Sequence, residues 1–112
     1  MLKGAKITSL TNLVYLDISL NSLQDDIPSV TELTKLKTLN IAGNKIGNGN
    51  KKLDLSNLTN LTSLNISGNN LNNINYNLGL DRLTNLIYLN ISYNDINIKP
   101  SSPNITIINV NV

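Results

Sequence analysis

Apolar residues in this chain recur in one template, LxxLxxLxLxxNxL, which runs through it four times. The first copy reads Leu10, Leu13, Leu16, Ile18, Asn21, Leu23, and the second Leu33, Leu36, Leu39, Ile41, Asn44, Ile46. The third is Leu58, Leu61, Leu64, Ile66, Asn69, Leu71, and the fourth Leu83, Leu86, Leu89, Ile91, Asn94, Ile96. No template position is violated, and the asparagines follow one another at steps of 23, 25 and 25 residues. Self-similarity at such a period marks a repeat architecture. An apolar residue also stands three places ahead of each copy's first leucine, at Ile7, Val30, Leu55 and Leu80, where it starts the return half of a coil. A truncated fifth copy, Ile105-Thr-Ile-Ile-Asn-Val110, superposes on residues 61–66 and is expected to send Ile105, Ile108 and Val110 to the core.

Two periods coexist within the template. L-x-L is the period of a strand with one buried face, whereas LxxLxxL repeats every three residues and suits a tight turn-like, 3-10 or helical return. One coil is therefore a strand, an asparagine turn and a return segment. A single coil cannot bury its own leucines, so coils stack, and each fully buried Leu or Ile then contributes about 1.5 to 3 kcal/mol. Asn21, Asn44, Asn69 and Asn94 fall where the chain leaves each strand and leaves backbone groups unpaired inside the stack. An amide both donates and accepts, so these four are expected to form a structural ladder.

If the L-x-L residues face the core, their neighbours face solvent and form the candidate binding surface. One column is Tyr15, Thr38, Ser63, Tyr88 and Ile107; beside it stand Asp17, Asn40, Asn65, Asn90 and Asn109. Ser19, Ala42, Ser67, Ser92 and Asn111 make a third column, completed by Leu20, Gly43, Gly68 and Tyr93. Three of the four tyrosines, Tyr15, Tyr88 and Tyr93, thus share one surface. Tyrosine is enriched at binding hot spots and costs little entropy to order, although strand propensity alone also places it on sheets. The partner-binding candidates are Tyr15, Asp17, Asn40, Asn65, Tyr88, Asn90 and Tyr93.

The run from Leu58 through Thr59, Asn60, Leu61, Thr62, Ser63, Leu64, Asn65, Ile66, Ser67, Gly68, Asn69 and Asn70 to Leu71 resembles leucine-rich repeats of the internalin and phosphatase-regulatory types. The observed steps lie within the range of about 20 to 29 residues of that family. The resemblance covers about residues 7–112. It implies an α/β fold: a right-handed solenoid, an arc with a parallel concave sheet of about five strands and short convex returns, binding protein ligands on the sheet. Both repeat types favour about 22 residues, and here residues 47–52 and 72–77 lengthen the returns. Ile27-Pro28 is similar to the plant type without its full spacing, so the subfamily stays unassigned.

Composition narrows the chemistry. The chain has 112 residues, of which 22 are Asn, 20 Leu and 14 Ile, with 4% aromatic residues, so the core must be aliphatic. A net charge of +2, spread along the chain without a basic stripe, argues against a nucleic-acid partner. No stretch approaches the roughly 18 apolar residues of a membrane span. His and Cys are absent, which removes the commonest general base, thiolate metal sites and disulfides. No enzyme, metal or cofactor is expected. Asp25-Asp26 reads as a solvated turn rather than a cation site, and residues 47–52 as a flexible loop rather than a phosphate cradle, lacking the Lys-Ser/Thr pair. The sequons at Asn57, Asn60, Asn65, Asn90 and Asn104 read as incidental in so asparagine-rich a chain.

The reading is of one domain, 1–112, with repeats at about 7–29, 30–54, 55–79 and 80–104 and a partial copy at 105–112. Its expected role is non-catalytic protein binding on the concave sheet; the alternative is a structural spacer of a longer repeat protein. No polar cap is evident at either end, so the chain is expected to be a piece of a longer protein or to associate end to end. The opening residues lack a secretory pattern, which leaves the compartment open and leaning towards the cytoplasm.

Overall fold

The computed structural model describes residues 9–25, 27–50, 52–72, 78–98, 100 and 102–111, with the side chains of Pro28 and Ser29 set aside. Ile7, Asp26, Lys51 and residues 73–77, named above, lie outside the described residues. Five strands form one parallel sheet in sequence order: β1 (Tyr15–Asp17), β2 (Thr38–Asn40), β3 (Ser63–Asn65), β4 (Tyr88–Asn90) and β5 (Thr106–Ile108). Leu16, Leu39 and Leu64 stand in register across β1 to β3, and Leu64 faces Leu89 across β3 and β4. The ladder runs beyond the strands. Ile18, Ile41, Ile66 and Ile91 each donate their N–H to the next coil, at 2.9 Å in every case.

The every-third-residue leucines of the returns have a direct backbone counterpart. Leu33 and Leu36 donate to the carbonyls of Val30 and Leu33, Leu58 and Leu61 to those of Leu55 and Leu58, and Leu83 and Leu86 to those of Leu80 and Leu83, at 2.9 to 3.2 Å. Each return is thus a chain of three-residue turns that turns its apolar residue inward at every step. Named 3-10 segments cover Ile27–Glu32, Ile46–Asn48 and Leu80–Arg82. Template leucines and isoleucines of the second, third and fourth coils are all buried. The core thins at the first coil, where Leu13 and Leu16 are half-buried and Leu10 is exposed.

The fifth coil departs from the expected register by one residue. Leu89 pairs with Ile107 and Asn90 with Ile108, so Ile105 and Ile107 pack on the core, while Thr106, Ile108 and Val110 take the sheet positions assigned above to Ile107, Asn109 and Asn111. A one-residue slip exchanges the two faces of a strand, and this segment offers apolar residues to either choice. Geometry of the approach decides it. The closing coil is short, with an 18-residue step from Ser92 to Val110 against 23 or 25 in earlier coils. Buried Ser102 anchors the incoming chain by donating its hydroxyl to the carbonyls of Thr84 and Leu86.

Residues 47–50 also differ from the flexible loop expected of them. Gly47 donates its N–H to Asn69 O at 2.8 Å, Gly49 to Ile46 O at 3.1 Å, and Asn50 to the Asp25 carboxylate at 2.7 Å. Asp25, read as solvated, is a coil-to-coil acceptor.

Candidate functional site

The surface under consideration is the solvent face of the sheet, and the turns that leave it determine which groups it presents. Asn44 Oδ1 accepts the N–H groups of Asn21 and Leu23 in the preceding coil, both at 3.0 Å, while its Nδ2 donates to Ile18 O at 3.1 Å and Ile41 O at 2.9 Å. Asn94 repeats the arrangement on Asn69, Leu71, Ile66 and Ile91. Asn69 donates to Ile41, Ile66 and Ser67 and is fully buried, at 0% exposure. Each of these three amides joins two coils, whereas that of Asn21 donates to Ile18 O and Ser19 O of its own coil, and among the described residues no buried side-chain N or O lacks a partner.

Between strand and ladder asparagine, each coil has one residue with left-handed backbone: Leu20 at φ 58°, Gly43 at 66°, Gly68 at 62° and Tyr93 at 56°. The backbone here must turn while its N–H still bonds outward along the sheet, from Leu20 to Ala42, Gly43 to Ser67, Gly68 to Ser92 and Tyr93 to Val110, at 2.8 to 2.9 Å. Glycine adopts this conformation without steric cost, whereas other L-residues lose roughly 1 to 2 kcal/mol. Leu20 and Tyr93 bear that strain while exposed at 81% and 59%.

The Asp/Asn column has a structural task of its own. Asp17, Asn40, Asn65 and Asn90 each accept, through Oδ1, the N–H of the residue two places on, at 3.0 Å, closing an Asx turn at the strand end. The hydroxyls of Ser19 and Ser67 add bonds of 2.7 Å to Asp17 and Asn65. For Asp17 the Ser19 hydroxyl, and after it the Ser19 N–H, hold the carboxyl below the usual carboxylate range. The Oδ1 atoms of this column serve the turns, which leaves the amide Nδ2 of its asparagines and the second carboxylate oxygen of Asp17 as its outward groups.

Tyr15 and Tyr88 stand on one column, separated by Thr38 and Ser63, and are 63% and 36% exposed. Tyr93 follows β4 by three residues. Two further exposed apolar residues flank these strands, Ile87 ahead of β4 and Val110 behind β5, and half-buried Ile108 pairs with Asn90. Ile87 was legible as an apolar residue outside the template; Ile108 and Val110 were hidden by the register of the last strand. Val14 and Leu20 extend the exposed apolar surface near Tyr15. Across the middle coils the surface is small and polar.

Elsewhere, a cleft of about 260 Å³ among the returns is lined by Asp54, Ser56, Gly79, Asp81 and Arg82. The Ser56 N–H, bonded to Asp54 at 3.0 Å, is first among the groups that hold that carboxyl below its ordinary range. Among the described residues no group of three or more acidic side chains is placed to hold a metal ion, and no helix is long and apolar enough to cross a membrane.

A model of the leucine-rich repeat matches residues 9–27, 32–49, 57–74 and 82–97, more than half of the chain and all four full coils. The chain belongs to the leucine-rich-repeat family. Among solved structures, this leucine-rich-repeat chain is similar to an internalin, inlF, from Listeria monocytogenes, at 33% identity and a TM-score of 0.72. That match covers 91% of this chain and 29% of the internalin chain, so the chain spans less than a third of the protein it resembles. No curated protein matches it. In solenoids of this family the sheet lines the hollow of the arc, and the extended concave surface is what such folds use for binding.

Proposed function

We propose that this leucine-rich-repeat chain is a non-catalytic protein-binding module that takes its partner on the solvent face of the sheet. The observation that carries the reading is the exposure of Tyr88 in β4, of Tyr93 in the turn that follows it and of Val110 after β5. Tyrosines set among small polar residues are the composition of an energetic centre with a rim. A sequence without His or Cys supports the absence of a catalytic role. Tyr15 at the other side of the sheet supplies a second contact. Asp17, Asn40, Asn65 and Asn90 serve as turn closers first and as rim contacts through their outward groups. No membrane or nucleic-acid role is assigned.

The test is the affinity of the partner captured from the source organism for the Tyr88→Ala, Tyr93→Ala double variant. A loss of tenfold or more is expected, since hot-spot truncations cost about 2 kcal/mol or more; unchanged affinity contradicts the reading. The Asx turns favour a second reading, a structural spacer, because they make much of the sheet face a requirement of folding. Under that reading the double variant leaves all associations intact.

A further inference from the structure

At each internal step of the stack, one coil presents a carbonyl and then two N–H groups to the next. Val14 O accepts from Lys37 and Thr38, while Ile18 and Leu20 donate to Asn40 O and Ala42 O, all at 2.8 to 3.1 Å. Ile87 O, Ile91 N–H and Tyr93 N–H meet Thr106 N–H, Ile108 O and Val110 O in the same way. The same spacing recurs on the outer edge of β5 as Ile105 O, Asn109 N–H and Asn111 N–H. The outer edge of β1 carries the complement, the N–H groups of Val14 and Tyr15 and the carbonyls of Asp17 and Ser19. Among the described residues none of these edge groups has a backbone partner. Asn21 extends the pattern into the ladder. Its Nδ2 is held by Ile18 O at 3.0 Å and Ser19 O at 2.9 Å. Its Oδ1 has none of the N–H donors that Asn44 and Asn94 find in the coil before them.

We propose that the β5 edge of one copy of this chain receives the β1 edge of a second copy, so that copies add head to tail and the parallel sheet continues from each to the next. Val14 and Tyr15 then donate to the Ile105 carbonyl, and Asn109 and Asn111 donate to the carbonyls of Asp17 and Ser19. The joint repeats the coil-to-coil contact already present inside the chain. Exposed Leu10 and half-buried Leu13 and Leu16 gain the cover that fully buried Leu33 and Leu36 and nearly buried Leu39 have in the second coil. Half-buried Ile105 and Ile107 are covered from the other side. Polar residues at the β5 edge do not oppose this, because their side chains are already bonded. Asn109 donates to Ile96 O and accepts from Asn111, and the Ser102 hydroxyl is held by Thr84 O and Leu86 O. Residues 102–111 carry no charge, so Asp17 and Asp25 of the arriving coil meet no like charge on that coil. Every assembly keeps one free edge of each kind, so growth is heterologous and open-ended, advancing roughly 24 Å, or five strand spacings, per copy. The solvent face of the sheet stays accessible, so the reading of that face stands or falls separately.

Sedimentation velocity of the whole chain over a range of concentrations tests the joint, with one variant for each edge. Leu10→Lys puts a charge where the joint buries an apolar side chain, and disables the β1 edge. Asn111→Pro removes a ladder donor and disables the β5 edge. Both residues are exposed in the single copy, so melting midpoints near that of the parent chain are expected. The parent chain is expected to form a series of species that lengthens with concentration. Each variant alone loses all association, and an equimolar mixture of the two, which retains one live edge of each kind, forms a heterodimer and nothing larger. Should Leu10→Lys lower the melting midpoint, Val14→Pro, which removes a donor from the same edge at an exposed residue, replaces it in the mixture with the same expected result. A parent chain that stays monomeric at every concentration overturns the proposal. So does a parent dimer that grows no further, which marks an isologous pairing of like edges. Variants that still associate alone, or folded variants that fail to pair when mixed, overturn it as well.

Discussion

Asn69 ties two coils together through one side chain, with its amide on carbonyls of Ile41, Ile66 and Ser67 and no exposure to water. Replacing it by an isosteric apolar group strands those carbonyls in the core, at about 1 to 3 kcal/mol for each group left unsatisfied. Asn69→Leu is therefore expected to destabilise by about 3 kcal/mol or more, read as the shift of a urea unfolding midpoint, whereas Asn72→Leu at its half-buried position shifts it far less. Equal shifts would refute the ladder. Asp17 makes a second, pH-dependent case. Its folded-state carboxyl is held below the ordinary value of 3.8, so its bonds to Ser19 contribute fully above that range and are lost as the pH falls through it. Asparagine already closes the same turn in the next three coils. Asp17→Asn should leave the melting temperature at neutral pH nearly unchanged and remove part of its fall below pH ~4; an unchanged acid profile would contradict the assignment. At this scale the ladder was legible because only an amide meets its mixed demand for donor and acceptor. The strained backbone at Leu20 and Tyr93 was not, since neither side chain carries a signal of left-handed φ; only their alignment with Gly43 and Gly68 held the clue. Nor was the second set of amide bridges on the returns, where Asn60 and Asn85 donate to Thr34 O and Thr59 O of the preceding coils, both at 3.0 Å.

Elements are held less by their own length than by what docks beside them. Each strand is three residues long, too short to persist alone, and its position is fixed by leucine register and by bonds from turn to turn. The turn at Ile46–Asn48 shows how close that docking is. A Cβ on Gly47 would sit 1.9 Å from the backbone oxygen of Asn70, whereas a Cβ on Gly68 would meet ordinary contact distances and only its φ would object. Gly47→Ala is accordingly expected to destabilise by about 2 kcal/mol or more and Gly68→Ala by about 1 to 2 kcal/mol, both measured by chemical unfolding; the reverse order would show the coils are less tightly apposed at Asn70. The returns were legible because LxxLxxL maps onto successive three-residue turns. The last strand was not, because Ile105, Ile107, Ile108 and Val110 satisfy either register, and the deciding contact, the Ser102 hydroxyl on the fourth coil, comes from a polar residue outside every template.

At the scale of the whole molecule, the chain is a stack in which each coil contacts its neighbours and the sheet face is a broad surface to which all of them contribute. Its apolar exposed groups fall at the two sides, Val14, Tyr15 and Leu20 at β1 and Ile87, Tyr88, Tyr93 and Val110 at β4 and β5, with a polar middle between them. That distribution reads as two contact areas for one partner laid across the strands. That distribution of exposed groups was half visible in sequence: three tyrosines were legible as sheet-face residues, while Val110 was hidden by the last strand's register and Ile87 by the assumption that apolar residues belong to the core. The most direct test is photo-crosslinking from single sites, with a benzophenone side chain replacing Ser63 at the middle of the sheet face or Thr84 on a return, each in contact with an extract of source cells. Discrete protein adducts from Ser63, absent from Thr84 and reduced by Tyr88→Ala with Tyr93→Ala, are the expected result. Adducts from Thr84 alone, or Ser63 adducts unaffected by loss of the tyrosines, would contradict a partner seated on the sheet.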